Sequence, residues 1–181
     1  MRETFSVDIA GVKRELPLFE VKPGLKIAVL NILGDTELVE ASASELLKKM
    51  SDVDYDLIVT AESKSIPLAH AMSVLNHKPY VVLRKTYKPY MGEALQVETN
   101  SITTGSEQKL ILDEKDLHMI QGKKVLIIDD VISTGSTLEA MRKLMKMAGA
   151  TIVDEAAIFT EGDSKDWQGI ISLGHLPLFL R

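Results

Sequence analysis

Cysteine is absent from this 181-residue chain, aromatic residues make up only 5% of it, and Lys and Arg (21) are outnumbered by Asp and Glu (26). Without cysteine there is no disulfide framework, no thiolate metal site and no nucleophilic thiol, so a reducing cytosol is the expected setting. The net charge of −5 and the lack of any Lys/Arg block argue against a nucleic-acid surface, where clustered cations must displace counterions. Long apolar runs are missing too. None approaches the ~20 residues that span a bilayer, and the amino-terminal MRETFSVDIAG carries acids where a signal peptide needs an apolar run. These absences predict a cytoplasmic protein with neither nucleic-acid nor membrane partners. No repeat, low-complexity tract or Gly/Ser/Pro linker divides the chain, which predicts one domain over residues 1–181.

What is present is an alternation of strand-like and helix-like segments. Thr4 to Val21 alternates weakly, broken by Gly11 and Pro17, and suggests a hairpin or an irregular cover. Lys26 to Leu33 is a strand-like apolar run, after which Gly34-Asp35-Thr36 opens a helix with Leu38, Val39, Leu46, Leu47 and Met50 at helical spacing. Asp56 to Thr60 and Tyr80 to Arg84 are short strands of the fully buried kind, separated by the loop AESKSIP and a helix carrying Leu68, Ala71, Met72 and Leu75. From Lys85 to Ser106 periodicity is weak, although Ala94 to Val97 and Lys109 to Leu112 can pair as a hairpin. Lys124 to Asp130 is the clearest strand. Ser136 and Glu139 have capping-box spacing at the start of a helix ending at Gly149, and Ile152 to Phe159 and Ile170 to Leu173 are the last strand candidates. Such alternation predicts an α/β fold, a central parallel sheet flanked by helices, with ligands at the carboxyl ends of its strands. Three loops should then converge there: Ala61 to Ile66, Lys85 onward, and Asp129 to Thr137.

Residues 125–137 read VLIIDDVISTGST. The apolar run buries a central strand, so that Asp129 and Asp130 emerge near its end, where paired carboxylates can accept hydrogen bonds from vicinal hydroxyls. Ser133, Thr134, Gly135, Ser136 and Thr137 then bring N–H groups and hydroxyls to a helix amino terminus, whose partial positive charge suits a phosphate dianion. Taken singly, an Asp pair is often loop polarity and a Ser–Glu pair only a cap. Together they describe a ribose 5-phosphate site. A Walker A loop is excluded because no Lys follows Gly135, and no G-x-G-x-x-G is present.

VLIIDDVISTGST resembles, throughout its length, the signature of the type I phosphoribosyltransferases, which use 5-phosphoribosyl 1-pyrophosphate (PRPP). The resemblance extends from about Asp56 to Gly149. Within it, TAESKSIPLAHA is similar to the pyrophosphate loop of adenine phosphoribosyltransferases and of the PRPP domains of purine repressors, and YVVLRK fits as well. It implies a type I phosphoribosyltransferase fold with a hood and first strand in about residues 1–34, a core over 35–160 and a C-terminal strand and tail over 161–181. It further implies that Asp129 and Asp130 hold the ribose hydroxyls, Ser133 to Thr137 the 5-phosphate, and Glu62, Ser63, Lys64, Arg84 and Lys85 the pyrophosphate. Lys88 would act from a loop, Lys85 to Gly105, that closes over the reaction. The implied cofactor is Mg²⁺, held mainly by PRPP and water with Asp129 and Asp130 as protein ligands, and the implied assembly is a homodimer.

For the acceptor base, hypoxanthine and guanine enzymes carry an acid where this chain has Ser133, so a 6-oxopurine is disfavoured and adenine expected, with xanthine or another base as the alternative. The adenine enzymes' Glu-Tyr before a loop glycine is Thr103-Thr104 before Gly105 here. The base should pack against Phe19, Leu25, Val29, Ile32 or Val131. A PRPP-sensing regulator of the purine repressor type is a second reading, but only about fifty-five residues precede Asp56 and no basic recognition helix is apparent among them. His70, His77, His118 and His175 lack metal spacing and read as structural or exposed, and Trp167 and Tyr87 are stacking candidates that more often serve packing.

Overall fold

The computed structural model describes residues 3–100 and 107–180. Strands β1 (Thr4–Ile9) and β2 (Val12–Lys22) form a hairpin whose two-residue turn, Ala10-Gly11, has positive φ at both positions, the geometry that matches strand twist. A second turn leads into β3 (Leu25–Ala28). The apolar run from Lys26 to Leu33 is therefore not one strand of the core. Pairing ends at Ala28 with one further bond, from the Val29 N–H to the Pro17 carbonyl at 3.0 Å; beyond it Leu30 and Ile32 stay buried while Asn31 and Leu33 face outward. Alternation reports which side chains are buried, and this stretch buries one side without a ladder partner.

Helix α1 (Thr36–Lys49) starts where the spacing predicts, with the Asp35 carboxylate accepting the Leu38 N–H at 3.2 Å. Arg14 from β2 reaches the same carboxylate at 2.7 and 2.8 Å and Glu37 at 2.7 Å, which ties the hairpin to α1 and holds the Asp35 pKa below the usual carboxylate range. Next come β4 (Leu57–Ala61), α2 (Ile66–Asn76) and β5 (Tyr80–Leu83), then the hairpin of β6 (Leu95–Asn100) and β7 (Glu107–Leu112). Helix α3 (Glu114–Ile120), which the sequence reading lacks, is only 7 residues long, too short for periodicity to mark. The chain finishes with β8 (Lys124–Ile132), α4 (Ser136–Met147), β9 (Thr151–Glu161), β10 (Ile171–Leu176) and β11 (Phe179–Leu180).

Five strands make a parallel sheet in the order β10-β9-β8-β4-β5. Its Val/Ile runs are buried because both faces are covered. One face packs against α1, α2 and the amino-terminal hairpin through Leu38, Leu46, Leu68 and Met72; the other packs against α4 and the β6–β7 hairpin through Leu138, Met141, Leu144, Leu110 and Leu112. The second sheet, β1-β2-β3-β11, is antiparallel and forms the hood. Strand β11 is joined to β10 by only two residues, so the hood is anchored to the end of the core sheet from both chain ends, and Phe5 meets Phe179 edge-to-face at 5.2 Å. Thr103, Thr104 and Gly105 lie outside the described residues. No helix among those described is long and apolar enough to cross a membrane.

Candidate active site

Strand β8 pairs with β4 only from Val125 to Ile127, but with β9 as far as Ile132. Past Ile127 the ladder to β4 is replaced by a buried side-chain seam. Thr60 Oγ1 donates to the Ile128 carbonyl at 2.8 Å and lies 2.7 Å from Ser65 Oγ, which itself bonds the Ala61 carbonyl at 2.9 Å. This seam satisfies the backbone groups left by the parting strands and opens a crevice at the carboxyl end of the sheet. Thr60 and Ser65 were not among the expected site residues; hydroxyls flanking a loop carry no signal that separates them from ordinary turn polarity.

The crevice, of about 220 Å³, is lined by Glu62, Ser63, Lys64, Lys85, Asp129, Asp130, Val131 and Thr137, together with Ala61 and Ser65. Residues from three separate loops thus meet as expected. Within it the Asp130 N–H donates to Asp129 Oδ1 at 2.8 Å. Desolvation, followed by the adjacent Asp130 charge, pushes the Asp129 pKa well up, while Lys85 opposes the shift. On the opposite wall Glu62 accepts from Arg84 Nε at 2.9 Å and from the Lys85 N–H, and the Glu62–Ser63 peptide is cis. Glu62 is thereby engaged as a brace between the loop and the end of β5. Lys64 and Lys85 also line the crevice without an ion pair to any described residue, and the Lys85 charge acts on Asp129.

Immediately beside the crevice, a cup of about 30 Å³ is formed by Ser133, Thr134, Gly135, Thr137 and the adjoining Asp129, Val131, Ile132 and Leu138. The predicted capping box is not formed. Gly135, with φ +79°, is the residue preceding α4, Ser136 is already helical, and Ser136 Oγ lies 3.0 Å from Thr134 Oγ1. A left-handed residue, cheap only for glycine, ends the loop one position earlier; the Ser136 N–H turns to Thr134 Oγ1 at 3.5 Å, and the N–H groups of Thr137 and Leu138 are left for a ligand. Trp167 closes the other side of this turn. Its ring edge would lie 2.8 Å from a Cβ at Gly135, and its Nε1–H donates to the Glu161 carbonyl at 2.9 Å. Trp167 is therefore packed against the cup.

Other expected residues lie farther off. Lys88 is exposed ahead of the 3₁₀ turn Pro89–Met91, and neither it nor Arg84 lines the crevice. Phe19 is 53% exposed on the hood, Leu25 is half-buried on β3, and Ile32 belongs to the core. Of the base-packing candidates only Val131 borders the crevice. A larger cavity, about 670 Å³, lies between α1 and α2 and is lined by no Lys or Arg, which makes it a poor seat for a phosphorylated substrate. Among the described residues no group of three or more His, Cys, Asp or Glu is arranged to hold a metal. The four histidines are exposed or structural: His70 meets Tyr80 edge-to-face, and His175 bonds Thr160 and the Gly162 carbonyl.

Comparison with known proteins gives this geometry its context. A sequence model of the phosphoribosyl transferase domain matches residues 30–167. A hypoxanthine/guanine phosphoribosyltransferase of Methanothermococcus okinawensis is 37% identical over 134 residues, covering 74% of this chain and 69% of its own length. Its counterpart from Methanococcus vannielii is 38% identical over 134 residues, with 74% and 68% covered. Among solved structures, adenine phosphoribosyltransferase from Thermoanaerobacter pseudethanolicus superimposes with a TM-score of 0.69 at 22% identity, over 96% of this chain and 95% of that one. The Saccharomyces cerevisiae adenine phosphoribosyltransferase gives 0.65 at 18%, with 94% of each chain covered. At those identities the structures establish the fold alone. The matched domain, the relatives above 35% identity and the crevice at the sheet's carboxyl end together identify the chain as a member of the type I phosphoribosyltransferase family, and as a phosphoribosyltransferase enzyme.

Proposed function

We propose that the protein transfers the 5-phosphoribosyl group of PRPP to a purine base, releasing pyrophosphate. The observation that carries this reading is the meeting, in one crevice, of the Asp129–Asp130 pair and the Lys64 and Lys85 cations, with the small cup of Ser133, Thr134, Gly135 and Thr137 directly beside it. In it, the cup takes the 5-phosphate through the free N–H groups of α4, Asp129 and Asp130 accept from the ribose hydroxyls, and Ser63, Lys64 and Lys85 neutralise the pyrophosphate. The bond from the anomeric carbon to the pyrophosphate oxygen breaks through an oxocarbenium-like state, a ring nitrogen of the base forms the new bond from the opposite side, and the proton of that nitrogen is lost. Catalysis comes from positioning and from charges aimed at the leaving group, without a covalent nucleophile.

The residues also fit a magnesium ion. Two neighbouring carboxylates, one of them pushed towards its neutral form by burial and by its partner, are relieved by a dication. With no third acidic or histidine ligand beside them among the described residues, such an ion would be held chiefly by the diphosphate and water, as Mg²⁺ favours. When bound, it would add to the neutralisation of the leaving group. A homodimer is part of the same proposal.

For the acceptor, the similarity to enzymes named for hypoxanthine and guanine, at 37% identity, supports a 6-oxopurine over the adenine expected from Ser133. Pyrophosphate release from PRPP with Mg²⁺, measured in parallel with guanine, hypoxanthine, xanthine, adenine, uracil and orotate, tests the reading. Release dependent on a purine supports it. Tight PRPP binding without turnover on any base replaces it with the regulator.

Lys88 supplies a further check. It stands outside the crevice, so any contribution comes after the loop closes. Lys88→Ala is expected to lower kcat about tenfold or more, the scale of one lost charge-assisted contact to the leaving group, with the melting temperature unmoved because the residue is exposed. An unaltered kcat removes Lys88 from the reaction.

A further inference from the structure

In-line displacement requires leaving group and nucleophile on opposite sides of the anomeric carbon. The strand order then decides where the acceptor base lies. The loop with Ser63 and Lys64 follows β4 on one flank of β8, whereas β9 lies on the other. With the ribose held over the end of β8, the base falls on the β9 flank, between the sheet end and the hood.

Glu161 is the last residue of β9 and is only 6% exposed. Ile132 pairs with Thr160, so Glu161 comes level with Ser133, the first residue of the cup, about one strand spacing away, roughly 5 Å. On its other side it pairs with Leu176 of β10, three residues before the chain enters the hood at Phe179. Its backbone carbonyl holds Trp167 against Gly135. The carboxylate itself has neither an ion pair nor a hydrogen bond to any described residue. The titratable side chain acting on it is His175, whose two ring nitrogens are taken by Thr160 Oγ1 at 2.9 Å and the Gly162 carbonyl at 3.0 Å. Burial pushes the Glu161 pKa up, with His175 countering. A buried carboxylate with no donor is costly, and protein interiors seldom keep one without a role.

We propose that the Glu161 carboxylate determines specificity by accepting a hydrogen bond from an exocyclic amino group of the acceptor purine, so that the enzyme favours an aminopurine over the same ring without that group. An ionised carboxylate only accepts. A carbonyl at that edge sets lone pairs against it, whereas an amino group supplies the missing donor. A site built around such a bond discriminates strongly, because the wrong base leaves the buried group unpaired. The inference rests on the function proposed above.

Glu161→Met keeps the length of the side chain and removes the strong acceptor. The measurement is kcat/KM for guanine, adenine and hypoxanthine at saturating PRPP, with the KM for PRPP and the melting temperature in parallel. Wild type is expected to prefer guanine, whose 2-amino group hypoxanthine lacks, to hypoxanthine. In the variant this preference should collapse about 10- to 100-fold while the hypoxanthine rate and the KM for PRPP stay within about twofold. Glu161→Gln, which keeps one acceptor oxygen, should fall between, and it carries the test if the Met variant does not fold. A uniform loss on all bases, or a wild-type preference for hypoxanthine, overturns the role of Glu161 while the function stands. Absence of turnover on every purine overturns the function reading, and the inference with it.

Discussion

Asp129→Asn is expected to make the protein more stable and the enzyme much worse. The carboxyl is pushed well up from its ordinary pKa by desolvation and then by Asp130, so the folded state holds its charge at a cost. For an acid whose folded pKa is raised, the favourable contribution is present below the unfolded value, near 3.9, and is lost as pH rises through the folded one. The substitution removes that loss and keeps an Oδ1 acceptor for the Asp130 N–H. The melting temperature should therefore rise relative to wild type at pH 7.5, with the gain shrinking as pH falls and gone below about pH 4. Activity moves the other way. Losing an ionised acceptor to the ribose hydroxyls is expected to lower kcat/KM for PRPP about 100-fold, about 2.7 kcal/mol. Thermal scans across pH, set beside steady-state kinetics, check both halves. A variant less stable at pH 7.5, or one with unchanged kcat/KM, removes Asp129 from the role assigned to it.

Gly135→Ala should lose both PRPP binding and stability. At φ +79° the left-handed backbone costs an alanine about 1–2 kcal/mol before any contact is considered. Its Cβ would also sit 2.8 Å from the Trp167 ring, which cannot swing freely because Nε1 is bonded to the Glu161 carbonyl. Either the ring moves or the turn does, and the turn is what aims the first N–H groups of α4 at the cup. The KM for PRPP is expected to rise at least tenfold and the melting temperature to drop. The companion measurement is a double-mutant cycle with Trp167→Ala. If the ring is the obstacle, the penalty of Gly135→Ala shrinks in the Trp167→Ala background, while the left-handed cost remains. Additive effects would show that the ring plays no part.

These two residues illustrate how unevenly the site was written in the chain. Asp129, Asp130 and the hydroxyl-glycine loop lie within residues 125–137, and a strand, a turn and a helix start can each be read there from local chemistry. The parallel sheet was legible for the same reason, because strands buried on both faces leave continuous Val/Ile runs with helical periodicity between them. Local rules failed where a partner decides the outcome. The stretch from Lys26 to Leu33 looks like a strand throughout, but β2 accompanies it only as far as Val29. The Ser136–Glu139 spacing looks like a cap, but a left-handed Gly135 takes the position.

What the sequence determined by itself was therefore the class of fold and the strand, turn and helix start of residues 125–137. Only the tertiary structure decided that Glu62 is engaged by Arg84, that Thr60 and Ser65 hold the crevice open, that Trp167 backs the cup at Gly135, and that Glu161 ends β9 with its carboxylate unpartnered among the described residues. The reason is physical. Periodicity and turn chemistry act over a few neighbouring residues, whereas each of these roles depends on what another strand or loop, distant in sequence, brings within a few ångströms.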